Sequence, residues 1–480
     1  MNNWFSRIHD KYWAYLALLF WGVLSFLLLN KTSYGIGEGA ARALLLVWSV
    51  IDNVVSPIAT SGLPDFRTVF LIPAGFLWTG SVLAAKISTI IVMSGAVWAI
   101  HTWRQRGGHS ESALLASGLL LISPLVIDQI DTISVAPYLL LTFALGAWSD
   151  KLYRDAPLVF GGMFFTQMFL CLISASLHPA GLAYPLALLW TWYKNPVAKQ
   201  QYYFYGGIVF SVLFALLLTL GWHQIEWFTN PVRSLSGLLS GSQANGDIGV
   251  FRWITGIGIG CILLLVIWKQ ARNLWADLLG RILLVALVIG VLASDEIWGV
   301  IALTICLYWG VTLLLRMGTS SSGGFWQQRG VILSLLFVIS TSFMIADKAH
   351  YLKVLEGDLA PRDSLIKALV ENIKAIPNEE PKQNSPTKKP LLIASQWPGL
   401  TMLACRCGTF PLPPPAKDDQ ALFAMLRGIN FLIFDPRNPE NSSLSHNLAL
   451  MNAGKVETVA LQDGGVIVEV KDRAPVGVVK

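Results

Sequence analysis

Charge is scarce in this sequence. Only 13% of its 480 residues are Asp, Glu, Lys or Arg while 54% are hydrophobic, which is far more apolar surface than one soluble core can bury. A soluble single-core protein is thereby excluded, and lipid must cover much of the surface. The 35 Lys and Arg residues are spread in ones and twos between apolar runs. Without a basic stripe, nucleic acid is excluded as a natural partner, and the net charge of +6 reads as membrane topology.

Cysteine is scarce too. Of five, Cys171, Cys261 and Cys306 fall inside apolar runs, where a lone thiol acts as a small hydrophobe. Cys405 and Cys407 could meet an oxidising compartment; at a separation of two residues both a disulfide and a free pair stand open, and no zinc-type spacing accompanies them. Phosphate-cradling glycine loops, H-E-x-x-H pairs and G-x-S-x-G elbows are missing, and GIGIG at 256–260 lies inside an apolar run where helix packing accounts for it.

What is present is a series of long apolar runs. The first, Tyr12 to Leu29, follows Arg7 and Lys11 and lacks a small-residue cleavage site after it, so it is expected to be a retained signal anchor and first span. Others lie near 83–103, 112–127, 132–149, 157–176, 180–193, 203–222, 253–268, 279–294, 297–315 and 327–345, about eleven in all. With a cytoplasmic N-terminus, every inner loop is basic: Arg104 and Arg106, Lys151 and Arg154, Lys194 and Lys199, Lys269 and Arg272, Arg316 and Arg329. The outer turns hold Asp128, Asp131, His178, Asp295 and Glu296. An odd number of spans leaves the C-terminus outside. The expected fold class is therefore an α-helical polytopic membrane protein with residues 1–346 in the membrane domain.

Two outer segments, 31–82 and 223–252, are long, and the inner loops are short. A group transfer would thus need a donor carried by the membrane, because no inner loop can house a nucleotide-binding domain. Residues 35–55 have helical apolar spacing and suit an interfacial helix; TVFLIPAGFLW follows, with Pro73 expected to kink or end it. Residues 347–390 are polar and read as a linker. Beyond them, 391–480 reads as a small outer-face α/β domain with strands PLLIAS, INFLIFD, VETVALQ and GVIVEVK and helices over 418–428 and 442–453.

Candidate chemistry lies in acids and cations at the outer boundary. Glu38, Asp65, Asp128 and Asp131 are each individually consistent with solvated caps, but an ionisable group held at a partly dry boundary is a site candidate, since burial raises a carboxyl toward the range of a general base. Arg42, Arg67, Arg233, Arg252 and His178 run against the topology trend. Arg42 shares a helix face with Glu38 and could neutralise a phosphate leaving group or form a plain helix salt bridge. His178, before Pro179, also fits a helix-end residue bonded to backbone.

The order of features resembles the C-type membrane glycosyltransferase superfamily (GT-C), which includes protein O-mannosyltransferases and the bacterial aminoarabinose transferase acting on lipid A. The likeness rests on GEGAAR from Gly37 to Arg42, GLPDFR with Asp65 and Arg67, ALLASGLLLISPLVIDQID ending in acids, the SLHPAGLAYP turn and the C-terminal α/β domain. It implies transfer of a sugar from a polyprenyl phosphate to an acceptor at the outer face, Glu38 as the leading base and Asp128 or Asp131 as a second acid. Arg42, with His178 or Arg233, would hold the departing lipid phosphate, and Asp65 and Arg67 would help bind substrate. Glu38 stands alone where an adjacent acidic pair is usual, and GLPDFR lacks consecutive prolines. A divalent metal stays open, because acids cluster without a spacing that demands one. The sugar, lipid and acceptor are not legible; a bacterial inner membrane is expected. A transporter or flippase using Asp128 and Asp131, and a non-catalytic envelope assembly protein, are the rival readings.

Overall fold

The structure, a computed structural model, describes residues 18–29, 35–52, 67–155, 162–194, 206–209, 266–292, 297–313, 361–375 and 391–471, with short interruptions. The expected spans at 203–222, 253–268 and 327–345, the segment 223–252 and the polar stretch 377–390 lie wholly or largely outside these residues, as do Asp65 and Arg233. Chain contacts divide the protein into two compact units: one of residues 1–29, 62–70 and 86–348, the other of 30–61, 71–85 and 349–480.

The first unit is helical. Its helices include α1 (Leu18–Leu28), the end of α3 that begins at Arg67 and the greater part of α4 (Val82–Arg106). They continue with α5 (Ser110–Leu121), α6 (Pro124–Asp131), α7 (Ala136–Asp155), α8 (Gly162–Leu177), α9 (Ala183–Lys194), α10 (Leu278–Leu292) and α11 (Ile297–Ile305). A π-helical turn, Cys306–Gly310, extends α11. Among the described residues, α4 alone is by itself long and apolar enough to cross a membrane. Segments 112–121 and 125–131 meet that test only as a pair, bent by 52°. These helices establish an apolar helical architecture but not the expected count of about eleven.

The bend is written in Ser123-Pro124. Proline has no backbone N–H to continue α5, yet its fixed φ suits the first position of a new helix. Asp128 and Asp131 therefore lie in a short separate helix rather than at the end of a straight span. Large apolar side chains on α1 and α8, including Leu19, Phe20, Leu27, Phe165 and Phe169, are more than half exposed, as a lipid-facing surface requires. The interior is filled by Tyr138, Phe143, Tyr184, Trp192, Tyr308 and Trp309. Two glycines here allow close approaches: a Cβ on Gly146 would meet the Tyr184 ring at 2.6 Å, and one on Gly181 would overlap the Ser174 carbonyl at 1.6 Å. That accounts for the glycine in SLHPAGLAYP.

The second unit contains α2 (Glu38–Asp52), the later part of α3 (Arg67–Leu77), α12 (Pro361–Ala375) and the C-terminal sheet. Helix α3 runs on through Pro73, so the proline does not end it. The sheet strands are β1 (Leu392–Ser395), β2 (Gly408–Pro411), β3 (Phe431–Phe434), β4 (Val456–Gln462) and β5 (Gly465–Val470), in the order β2-β1-β3-β5-β4. Strand β1 runs parallel to β2 and β3, whereas β5 is antiparallel to β3 and β4. Helices α13 (Pro398–Cys405), α14 (Asp419–Met425) and α15 (Ser442–Leu450) complete the domain.

The four expected strands and two expected helices are all found. Missed were β2, which is short and ends on proline, and α13. Helix α12 falls within the stretch read as linker: Lys367 and Glu371 are exposed while Leu365, Ile366 and Leu369 are buried. A Cβ on Gly465 of β5 would meet Leu365 at 2.6 Å, so α12 packs directly on the sheet. Cys405 and Cys407 are joined by a disulfide, which resolves the open alternative. Arg406 between them is left-handed (φ 57°) and its guanidinium lies 4.7 Å from the centre of the Trp48 ring.

Candidate active site

In the second unit, Glu38 opens α2, where a carboxylate faces the positive end of the helix dipole. The Nε of Arg42, one turn on, lies 2.9 Å from Glu38 Oε1. Glu38 also reaches α13. Pro398 occupies the first turn of that helix and has no N–H, so the first donors there are Gly399 and Leu400; Gly399 donates to Oε1 at 2.7 Å and Leu400 to Oε2 at 3.0 Å. Glu38 thus serves as a capping carboxylate for a helix 361 residues away in sequence. The helix salt bridge offered for Arg42 is present. A base must present a lone pair to the acceptor proton. Three donors meet the two oxygens of Glu38, which carry about four lone-pair positions between them, so the carboxylate braces the fold here with an acceptor position still open.

The first unit holds the other acids. Asp131, the last residue of α6, is buried, and its Oδ1 lies 4.0 Å from Nζ of Lys86, whose side chain is 1% exposed. One turn further along α4, Thr89 shares a 2.8 Å hydrogen bond with the Tyr138 hydroxyl. Arg67 is buried as well and donates to the Ile133 carbonyl at 2.9 Å. Ile133 sits in the left-handed region at φ 51°, a conformation that costs a β-branched residue of order 1–3 kcal/mol. The guanidinium contact to its carbonyl helps hold that turn.

Asp128 is half-buried, and its backbone carbonyl accepts from Thr132 at 3.0 Å. His178 caps the short 3-10 helix Pro179–Leu182 by accepting from the Ala180 N–H through Nδ1 at 3.0 Å. That is the backbone-bonded, helix-end role. Among the described residues no group of three or more His, Cys, Asp or Glu is disposed to hold a metal.

Sequence reasoning missed Lys86. The signal was available: a lone lysine near the start of the run VLAAKISTIIVM is an intramembrane ionisable residue, which calls for a partner of opposite charge. Lys86 and Asp131 are distant in sequence, and the bend at Pro124 that turns α6 away from α5 was not anticipated.

No family profile matches the sequence, and no curated protein does. Among solved structures, the chain is similar to ArnT from Cupriavidus metallidurans in the apo state, with a TM-score of 0.50, 12% identity and coverage of 97% of this chain and 99% of that one. It is also similar to ArnT from the same organism bound to undecaprenyl phosphate, with a TM-score of 0.48, 12% identity and coverage of 95% and 97%. The similarity to the apo structure is one of fold, along nearly the whole length of both chains.

Proposed function

We propose that this protein is a membrane glycosyltransferase that takes a sugar from a polyprenyl-phosphate donor and passes it to an acceptor hydroxyl at the outer face. The observation that carries the reading is the buried Lys86–Asp131 pair at the end of apolar helices. Fold likeness to ArnT and the GT-C pattern of the sequence support it, but a shared fold alone does not assign chemistry. A buried ammonium is costly unless it has an anion to meet, and a lipid phosphate is such an anion.

In the reaction, the acceptor oxygen bonds to the anomeric carbon as the bond from that carbon to the phosphate oxygen breaks. The polyprenyl phosphate departs with the electron pair, and the acceptor proton goes to a carboxylate. Direct displacement inverts the anomeric centre. Lys86 is assigned to the charge growing on the leaving phosphate, where a fixed cation in a poorly polarisable site is most effective. Asp131 is assigned as proton acceptor and as the group that keeps the ammonium in place. Glu38 and Arg42 are assigned to holding α2 against α13.

The test uses purified full-length protein in lipid, a radiolabelled polyprenyl-phosphate sugar and an envelope extract as the source of acceptor. Label should leave the lipid for an extract component. Absence of both donor binding and transfer would overturn the reading in favour of transport or assembly.

A further inference from the structure

The first unit contains a second polar site, at the other end of α4. A cavity of about 420 Å³ is lined by Arg104 and Arg106 of α4, Lys151 of α7, and Gln270, Asn273 and Asp277 of the stretch before α10. Eighteen residues of helix separate Lys86 from Arg104, a rise of about 27 Å at 1.5 Å per residue. The cavity is therefore nearly a hydrocarbon core's thickness from the Lys86–Asp131 pair and takes no part in the transfer chemistry proposed there.

Its charges are unevenly matched. Arg104 is buried and fixed: Asp277 lies 3.6 Å from it, the Tyr308 carbonyl and Thr312 hydroxyl accept from it at 3.3 and 3.2 Å, and its guanidinium lies 4.4 Å from the centre of the Trp309 ring. Asp277 thereby compensates Arg104. Burial pushes the Asp277 carboxyl above the usual carboxylate range, against the pull of the Trp103 hydrogen bond and of Arg104. Arg106 and Lys151 are exposed, and neither has an acidic partner among the described residues. Arg106 is nonetheless held, 4.1 Å from the centre of the Trp148 ring, and Trp148 itself donates to the Ala99 carbonyl at 3.1 Å. Gln270, buried and bonded to Asn273 at 2.6 Å, adds a neutral amide wall.

We propose that this cavity binds a phosphate ester anion, with Arg106 and Lys151 neutralising it and Arg104 fixing the floor. Its position at the basic ends of the helices makes an anionic phospholipid headgroup one source and a soluble phosphate ester the other. The surplus of two cations matches one phosphate. A polar, aromatic-edged wall suits a headgroup better than an acyl chain.

The experiment measures binding to detergent-purified full-length protein of three radiolabelled probes: dihexanoyl phosphatidylglycerol, dihexanoyl phosphatidylcholine and glycerol 3-phosphate. Wild type should bind phosphatidylglycerol saturably and phosphatidylcholine at least tenfold more weakly. The double variant R106Q/K151Q should lose roughly thirtyfold in affinity for the anionic probe, about fivefold per cation. Both side chains are exposed, so the variant should melt with wild type; a single R106Q or K151Q, each losing about fivefold, gives an independent reading if the double variant does not. Glycerol 3-phosphate binding as tightly as phosphatidylglycerol would assign the site to a soluble phosphate, and much weaker binding would assign it to lipid. Equal binding of the anionic probe by wild type and the folded variants, or equal binding of the two lipids, would overturn the proposal. None of these readouts depends on sugar transfer.

Discussion

The backbone N–H of Gly399 donates to Glu38 across 361 residues of sequence, at 2.7 Å. The residue that the sequence offers as the leading base also caps a helix of the C-terminal domain. Space around the contact is as tight as the bond is short. A Cβ on Gly399 would sit 2.9 Å from both Glu38 Oε1 and the Arg42 Cγ.

Glu38→Ala should lower stability by about 1–2 kcal/mol, the usual range for losing a helix cap, and Glu38→Gln by less because its amide oxygen still accepts. Gly399→Ala should be destabilising on its own, and in the double variant with Glu38→Ala its cost should shrink, since the clashing carboxylate is gone. Thermal melts of all four proteins in detergent give the cycle. Strict additivity would show that the two residues do not act together.

At the Lys86–Asp131 pair, removing one member leaves an uncompensated buried charge, so Lys86→Met or Asp131→Leu alone should destabilise by about 3–5 kcal/mol. The double variant, with no charge left, should recover most of that stability. Transfer should not recover: loss of the phosphate cation should keep turnover about 10²–10³-fold below wild type. A double variant as active as wild type would reduce the pair to a structural element.

Residues 361–471 expressed as a fragment should be markedly more stable than residues 391–471, because only the longer one keeps α12. Leu365, Ile366 and Leu369 would leave an apolar face of the sheet bare when removed, at about 1.5–3 kcal/mol per buried side chain. Urea unfolding followed by circular dichroism compares the two. Equal midpoints would mean that α12 adds nothing to the domain.

Asp435 accepts hydrogen bonds from the Arg437 guanidinium at 3.1 Å, and this holds its carboxyl below the usual carboxylate range. A carboxyl whose folded value lies below its unfolded value of about 3.9 contributes stability above that pH and loses it as pH falls through the lower, folded value. The pair is largely exposed, so the contribution should stay within about 1 kcal/mol. In fragment 361–471, Arg437→Gln should flatten the fall in stability between pH 4 and 2 relative to wild type, about one carboxyl's worth. An unchanged acid limb would remove Arg437 as the cause.

Local signals carried much of the architecture. Short apolar runs in INFLIFD and GVIVEVK marked β3 and β5, and the Ala- and Leu-rich run after Glu38 marked α2. What stayed hidden depends on distance or on weak local preference. Strand β2 has only four residues and gains its pairing from β1, while the charged content of α12 masks a buried face that needs the sheet to define it. The Arg42 partner of Glu38 was legible from helical spacing, yet the other two partners are backbone N–H groups of Gly399 and Leu400, which no side-chain pattern can announce. Lys86 was overlooked because a single charge does not interrupt an apolar run by composition, although its placement opposite Asp131 gives it a partner that composition cannot see.

The bond between Cys405 and Cys407 offers a record of the compartment that the C-terminal sheet has met. Whether the two thiols stay joined depends on the redox state of the compartment the domain faces. Arg406 lies between them, so a tryptic cut there yields two peptides that remain linked in oxidised chains and separate in reduced ones. The ratio reads the fraction of copies whose C-terminal sheet has met an oxidising compartment, with no reporter fused to the protein.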